Sequence, residues 1–182
     1  MSRVAYVNGQ YQPHGQATVH VEDRGFQFAD GVYEVVASYG GRPFAMESHL
    51  RRLEHSLAAL RIGLDIRSYG VEAVVREAIT RSAFAETLVY IQITRGTAPR
   101  HHEFPAADTQ PTVVMTVKEL RRPAAQLYQT GVKVISTLDL RWKRCDIKST
   151  SLLANILAKQ QAAEAGAFEA RLVDGEGRVN EG

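Results

Sequence analysis

Residues 141–155 read Arg-Trp-Lys-Arg-Cys-Asp-Ile-Lys-Ser-Thr-Ser-Leu-Leu-Ala-Asn, with Lys148 near the middle of the stretch. A short apolar segment from Val132 to Ser136 precedes it and predicts a β-strand. An apolar-periodic segment from Leu152 to Ala165 follows it and predicts an α-helix. A strand, a polar connection and a helix in this order indicate a mixed α/β (α+β) fold organised around this stretch.

Lys148 is the first candidate for chemistry. It precedes the predicted helix, where the helix dipole favours anions over an ammonium group. With partial burial, that placement would push the amine toward its neutral form, the nucleophile that Schiff-base chemistry requires. For one lysine taken alone, an ordinary solvated side chain is the favoured interpretation. A catalytic role for Lys148 therefore depends on motifs elsewhere in the chain.

Composition narrows the class of protein. The 182 residues are 45% hydrophobic and 23% charged, as in an ordinary soluble globular protein. A net charge of +2 gives no reason to expect nucleic acid or a membrane as partner. The single cysteine, Cys145, excludes an internal disulfide framework and fits a reducing compartment. Neither a signal peptide nor a membrane span is predicted, so the expected location is the cytoplasm.

Hydrophobic patterns predict the elements before this stretch. Asn8-Gly9 predicts a hairpin turn between Val4–Val7 and Gln10-Tyr11. Residues 22–31 are polar and punctuated by glycine, and predict a loop. Helical spacing of leucine and valine predicts one helix over Met46–Ile62 and another around Val71–Ile79. The other predicted strands are Ala17–Val21, Val32–Tyr39, Thr87–Arg95, Thr112–Lys118 and Phe168–Val173.

The pattern divides into two domains. Leu120 to Gln126 predicts a connection, because Pro123 blocks continuation of the preceding strand. We expect an N-terminal mixed α/β domain over residues 1–119, an interdomain linker over 120–130 and the start of a C-terminal domain over 131–182. A turn at Asp174–Gly177 leads into a strand that has barely begun at Gly182. The sequence therefore predicts a portion of a longer protein, with its second domain incomplete.

Two candidate side chains lie on a predicted strand and a predicted helix of the first domain. Tyr33 begins a strand directly after a glycine loop, where its hydroxyl could face a cleft, although packing is the favoured interpretation of this motif alone. Arg52 adjoins the apolar stripe of the predicted leucine helix. Arginines there are usually solvated, but its planar fork could reach a phosphate inside the protein.

Three further candidates are polar. Arg100 and His102 lie on a long irregular loop and could trap an acidic group. A solvated loop is the alternative, and a metal site is a weaker one, because consecutive residues converge poorly on one ion. We therefore predict no metal site. Glu181 is an isolated carboxylate that carries no signal of its own, and a surface charge is its ordinary interpretation.

Several motifs occur in a characteristic order and spacing. They are Asp23-Arg-Gly25, Asp30-Gly-Val-Tyr-Glu-Val35, Glu47-Ser-His-Leu-Arg-Arg52-Leu53, Thr94-Arg-Gly-Thr-Ala-Pro-Arg-His-His-Glu-Phe-Pro105, Asp146-Ile-Lys148-Ser149, Leu157-Ala-Lys-Gln160, Glu164-Ala-Gly166 and Val179-Asn-Glu-Gly182. Together they closely resemble the class IV, or fold type IV, pyridoxal-phosphate aminotransferases. The Arg-x-His of the long loop resembles the D-amino acid transaminase branch.

This resemblance implies pyridoxal 5′-phosphate as cofactor and assigns three residues to it. Lys148 would join the cofactor through a Schiff base and shuttle the substrate proton. Glu181 would hold a proton on the pyridine nitrogen, and Arg52 would bind the phosphate. The resemblance also implies the two-domain architecture of fold type IV.

The resemblance further implies how substrate binds. Tyr33, Arg100 and His102 would bind the substrate α-carboxylate, in a homodimer whose carboxylate loop could come from the partner subunit. The implied reaction is a ping-pong transfer from a D-amino acid, of the D-alanine or D-glutamate type, to 2-oxoglutarate or pyruvate.

Other functions remain open from the sequence. A branched-chain L-amino acid transaminase or an (R)-amine transaminase shares the fold, and Arg100 with His102 argues moderately against both. An aminodeoxychorismate lyase shares it too. A non-catalytic binding protein that uses the basic run Arg141–Lys148 is the alternative from another class.

Overall fold

The computed structural model describes residues 4–182, which form two compact units. The first runs up to Leu120 and includes Asp146–Ser151, and the second comprises Arg121–Cys145 and Leu152–Gly182. The predicted domains differ from this division in two respects. Asp146–Ser151, which carries Lys148, belongs to the first unit because its main chain pairs with a strand there. The predicted linker over 120–130 contains a short helix and groups with the second unit.

A six-stranded antiparallel sheet forms the centre of the first unit, in the order β2-β1-β6-β5-β3-β4. The strands are β1 (Val4–Val7), β2 (Gln10–Pro13), β3 (Gly31–Tyr39), β4 (Arg42–Pro43), β5 (Glu86–Thr94) and β6 (Thr112–Glu119). The predicted hairpin is confirmed, with Asn8 and Gly9 both at positive φ in the turn between β1 and β2.

Helices cover one face of this sheet. The short helix α1 (Arg24–Phe28) lies beside Thr94 at the end of β5, and the helices on this face are α2 (Met46–Leu60), α3 (Ile66–Tyr69) and α4 (Val71–Ser82). Leu50, Leu53 and Leu57 of α2 pack in one core with alternate residues of the strands, such as Val36 and its cross-strand partner Val89. A strand's side chains alternate between faces, so the opposite face of the sheet carries the intervening residues, which are only half-buried.

Short elements depart from the predictions. Ala17–Val21 forms no strand, and the predicted loop over 22–31 contains α1. Helix α1 is set by its cap, since the Asp23 carboxylate accepts a hydrogen bond from the Gly25 amide at 2.8 Å. Asp65 caps the short helix α3 in the same way. Helices of one turn expose too little apolar periodicity to be predicted from hydrophobic pattern.

The second unit contains α5 (Ala125–Thr130), α6 (Leu153–Glu164) and a three-stranded sheet. In that sheet β8 (Glu169–Val173) lies between β7 (Val134–Leu138), which is parallel to it, and β9 (Val179–Glu181), which is antiparallel. Helix α6 packs on β8 through a small core of Ala158, Ala162, Ala170 and Leu172. Within residues 4–182, every helix is too short or too polar to cross a bilayer.

Candidate active site

The main chain around Lys148 extends the edge of β3. The Tyr33 amide donates to the Lys148 carbonyl at 2.9 Å, and the Thr150 amide donates to the Gly31 carbonyl at 3.0 Å. β4 pairs with β3 only at Ser38 and Tyr39, which leaves the first half of that edge for this segment. The helix predicted after Lys148 is confirmed as α6, which begins at Leu153, five residues beyond the lysine. Lys148 itself lies in the segment that pairs with β3.

The Lys148 side chain faces a tyrosine. Its Nζ lies 3.4 Å from the Tyr33 hydroxyl and 4.4 Å from the centre of the Tyr33 ring. The Tyr33 ring stacks on Tyr90 at 5.6 Å, and the Tyr90 hydroxyl donates to the Gln92 side chain at 2.7 Å. Burial raises the pKa of Tyr90, with a smaller contribution from Tyr33. The sheet thus presents a primary amine next to a phenolic hydroxyl whose ring is fixed by stacking.

Arg52 is held by a buried carboxylate. Its Nε and Nη2 donate to the two oxygens of Glu34 at 2.6 and 2.8 Å, and His49 Nδ1 lies 2.8 Å from the second oxygen. Burial opposes ionisation of Glu34, but the hydrogen bonds from Arg52 and His49 outweigh it and keep the pKa of Glu34 below its usual value. The Arg52 side chain is 51% exposed, so this pair orients a guanidinium whose outer edge is open.

Helix α2 brings Arg52 toward the lysine segment. The Ser56 hydroxyl accepts a hydrogen bond from the Lys148 amide at 3.2 Å. Residues four apart on a helix lie on the same face, one turn from each other. Arg52 is therefore one helical turn from the residue of α2 that contacts the Lys148 main chain.

The long loop places Arg100 and His102 on one aromatic ring. The Arg100 guanidinium lies 4.7 Å from the centre of the Phe28 ring, and the His102 ring lies 5.5 Å from it. Both loop side chains are exposed. Among residues 4–182, these ring contacts are to Phe28 and not to Tyr33. The structure thus brings the two loop candidates together, at a ring other than that of the third residue expected to bind the same carboxylate.

Glu181 lies in the second unit, on β9. Its carboxylate accepts a hydrogen bond from Arg141 Nη1 at 3.0 Å. Arg141 also donates to both oxygens of Asp139, at 3.0 and 2.9 Å, and Asn180 donates to Asp139 at 3.1 Å. The hydrogen bond with Arg141 is the main cause of a pKa of Asp139 far below its usual range. Glu181 is therefore tied to an arginine that a second carboxylate already orients.

Two residues that hold the candidate side chains in place were not predicted from the sequence. Glu34 lies in the motif Asp30–Val35, but nothing in that motif shows that its carboxylate orients Arg52. A charged residue at a core-facing strand position is the available signal, because a buried carboxylate needs a cationic partner. Arg141 lies in the stretch 141–155 together with Lys148. Its hydrogen bond to Glu181 could not be predicted, because the two residues are 40 positions apart.

Comparison with known proteins places these residues in a family. Residues 31–182 match the sequence model of the family Amino-transferase class IV. The D-alanine aminotransferase of Bacillus licheniformis is 40% identical over 175 residues, which cover 96% of this chain and 61% of that protein. The branched-chain amino acid aminotransferase of Escherichia coli superposes with a TM-score of 0.83 at 18% identity, over 100% of this chain and 62% of that one.

A further similar structure is that of a cofactor-bound protein. A hypothetical aminotransferase from Mycobacterium tuberculosis, in a PLP-bound form, superposes with a TM-score of 0.79 at 21% identity, over 97% of this chain and 63% of that chain. At such identity these structures show the fold alone, and they confirm the predicted fold type IV architecture.

The chain belongs to the class IV aminotransferases, which are pyridoxal-phosphate enzymes. It spans about three fifths of the length of the relatives it matches.

Proposed function

We propose that the full-length protein is a D-amino acid transaminase that uses pyridoxal 5′-phosphate. It moves an amino group from a D-amino acid, of the D-alanine or D-glutamate type, to 2-oxoglutarate or pyruvate in a ping-pong reaction. The observation that carries this proposal is the Lys148 amine, held 3.4 Å from the Tyr33 hydroxyl at a sheet edge. The D-alanine aminotransferase from Bacillus licheniformis supports the choice of substrate class.

The chain offers side-chain groups that suit the cofactor. Lys148 supplies an amine for the aldehyde, and Arg52 supplies an oriented, half-exposed guanidinium for the phosphate. Glu181 supplies a carboxylate for the protonated pyridine nitrogen. When bound, the cofactor supplies an electron sink for the carbanion formed at the substrate α-carbon.

Lys148 has a second role as the proton carrier. With its Nζ free, Lys148 would take the α-proton from one face of the substrate and later return it. Tyr33 orients that amine, because its hydroxyl accepts a hydrogen bond from Nζ and its ring is fixed against Tyr90. One-sided access of the amine is the proposed origin of stereochemical preference.

Arg100, His102 and Tyr33 bind the substrate α-carboxylate in this proposal. A guanidinium and an imidazole side by side offer several donors to one carboxylate. Within the chain, Arg100 and His102 contact Phe28 rather than Tyr33. That arrangement supports a homodimer in which the loop of one subunit completes the site of the other.

The proposed specificity is tested with three amino donors. The full-length protein is assayed with D-alanine, L-leucine and (R)-1-phenylethylamine, each with 2-oxoglutarate or pyruvate as acceptor. We expect D-alanine to give the highest kcat/KM. Faster turnover of L-leucine or of the amine would assign the protein to the branched-chain or (R)-amine group. Pyruvate release from aminodeoxychorismate without an amino acceptor would assign it to the lyases.

The covalent role of Lys148 has its own test. Borohydride reduction of the protein with pyridoxal 5′-phosphate, followed by peptide mapping, is expected to label Lys148. The same treatment of Lys148→Arg is expected to leave the peptide unlabelled, and Lys118→Arg, an exposed position on β6, serves as the control. A protein that gains no near-ultraviolet or visible absorption band with the cofactor would favour a non-catalytic binding function.

A further inference from the structure

One aromatic ring contacts three cationic or imidazole side chains in the first unit. Phe28, the last residue of α1, is half-buried. The Arg24 guanidinium lies 5.0 Å from the centre of its ring, in addition to Arg100 at 4.7 Å and the His102 ring at 5.5 Å. Cation–π attraction restricts where a guanidinium can lie over a ring. Phe28 therefore constrains the two loop side chains relative to each other.

Arg24 fixes the loop main chain between those two side chains. Its Nη1 donates to the His101 carbonyl at 2.7 Å, and its Nε donates to Asp30 Oδ2 at 2.8 Å. Arg95 donates to both oxygens of Asp30, at 2.8 and 2.9 Å. Arg24 is only 4% exposed, and a buried guanidinium is costly unless it is fully paired. The carbonyl it holds consequently has little freedom to move.

The base of the loop is closed as well. The Arg24 amide donates to the Gly96 carbonyl at 2.9 Å, and the Ala98 amide donates to the Glu22 carbonyl at 3.3 Å. The two arms meet at Gly96, where a Cβ would lie 2.0 Å from the Gln110 carbonyl oxygen. Hydrogen bonds from the α1 region thus reach both the base and the middle of the loop.

We propose that Arg24 and Phe28 are positioning residues that hold Arg100 and His102 in the orientation that binds a substrate carboxylate. This inference rests on the proposed function, in which that pair recognises the α-carboxylate. A loop that became ordered only on binding would lose affinity to the entropy of ordering. Positioning by α1 removes that cost, so its loss raises KM for carboxylate substrates and leaves kcat unchanged.

The test compares three variants of the full-length holoenzyme. Phe28→Leu removes the ring, Phe28→Tyr keeps it, and Phe26→Leu makes the same change at a 73% exposed position of the same helix. Steady-state kcat and KM are measured with D-alanine and pyruvate, together with the cofactor absorption band and the melting temperature. We expect Phe28→Leu to raise both KM values roughly fivefold, with kcat and the cofactor band as in the parent protein. Phe28→Tyr and Phe26→Leu are expected to retain the parent values.

Arg100→Met separates this inference from the proposed function. If Arg100→Met raises KM and Phe28→Leu does not, the positioning role of Phe28 is overturned and the proposed function stands. If Arg100→Met leaves KM unchanged, the carboxylate assignment fails, and the positioning inference fails with it. If Phe28→Tyr behaves like Phe28→Leu, or if kcat and KM change together with the melting temperature, Phe28 has only a structural role and the inference is overturned. Arg24→Lys, which keeps the charge and loses the fork, is expected to raise KM in the same way as Phe28→Leu.

Discussion

The side chains of Lys148 and Tyr33 meet because the main chains of the same two residues are hydrogen-bonded. The Tyr33 amide donates to the Lys148 carbonyl at 2.9 Å, and Lys148 Nζ lies 3.4 Å from the Tyr33 hydroxyl. A backbone contact of this kind places the two Cα atoms before any side chain is ordered. Strand register therefore brings the amine and the hydroxyl within reach of each other, and only their side-chain rotamers remain to be fixed.

Tyr33→Phe tests the hydroxyl alone. The variant keeps the ring that stacks on Tyr90 and contacts Lys148, so only the oxygen near Nζ is lost. We expect kcat/KM for D-alanine to fall about three- to tenfold, the range of one modest hydrogen bond. Tyr39→Phe makes the same change at the exposed end of the same strand and serves as the control. Equal kcat/KM in Tyr33→Phe and the parent protein would contradict a role for the hydroxyl.

Glu34→Gln tests the orientation of Arg52. An amide has one oxygen instead of two, so the paired hydrogen bonds at 2.6 and 2.8 Å cannot both be kept. We expect a loss of about 2 kcal/mol in the free energy of unfolding and roughly tenfold weaker binding of pyridoxal phosphate. Urea unfolding and spectral titration of the cofactor measure the two effects.

Glu47→Gln is the matched control for Glu34→Gln. Glu47 is a surface carboxylate on α2 that pairs with Arg67, and both side chains are well exposed. Removing such a pair is expected to change the free energy of unfolding by less than about 1 kcal/mol. Cofactor affinity should stay at the parent value. Similar losses in the two variants would show that burial of Glu34 confers no special importance on its pair.

Asp30→Asn tests a pH dependence. Burial opposes ionisation of Asp30, but hydrogen bonds from Arg95 and Arg24 outweigh it and lower its pKa. A carboxyl whose folded pKa is lower than its unfolded pKa adds stability above the unfolded pKa, about 3.9 for aspartate. That stability is lost as the pH falls through the folded pKa.

The variant should therefore differ most from the parent protein at neutral pH. We expect Asp30→Asn to lower the free energy of unfolding by about 3 kcal/mol at pH 7, and the gap should narrow as the pH falls below about 4. Urea unfolding at pH 7, 5 and 3 measures the difference in the free energy of unfolding between the variant and the parent protein. Asp108→Asn, at an exposed loop position, serves as the control. A gap that is constant with pH would rule out ionised Asp30 as its source.

Gly96→Ala tests the closure of the long loop. Gly96 has φ of +101°, and a Cβ there would lie 2.0 Å from the Gln110 carbonyl oxygen. Gly41 also has positive φ, +75°, but a Cβ there would meet nothing within 4 Å. We expect Gly41→Ala to cost about 1 kcal/mol of folding free energy and Gly96→Ala at least about 2 kcal/mol. Thermal unfolding compares the two, and equal losses would argue against close contact of the loop arms.

The strands and long helices of the first unit could be predicted because hydrophobic burial controls them. α2 begins at Met46, as its leucine spacing predicts. Helix α1 escaped prediction because a cap at Asp23 and contacts to distant residues define it. Hydrophobic periodicity carries no information about such polar contacts.

In the candidate site, the main residues could be predicted from the sequence, but their contacts could not. The order and spacing of the motifs, more than residue type alone, point to Lys148, Tyr33 and Arg100. Their neighbours depend on pairing across long stretches of chain, as between Lys148 and Tyr33, which are 115 positions apart. The assignment of Asp146–Ser151 to the first unit has the same origin, because strand pairing follows three-dimensional register and not sequence proximity.

The attachment of residues 148–150 to β3 uses main-chain atoms, apart from the Thr150 hydroxyl and the contact of Lys148 Nζ with the Tyr33 hydroxyl. Other side chains along the strand could therefore be exchanged while the main chain of Lys148 stays in place. Such a scaffold would let the proposed substrate preference change by single replacements, on the same main chain that carries the proposed reactive amine.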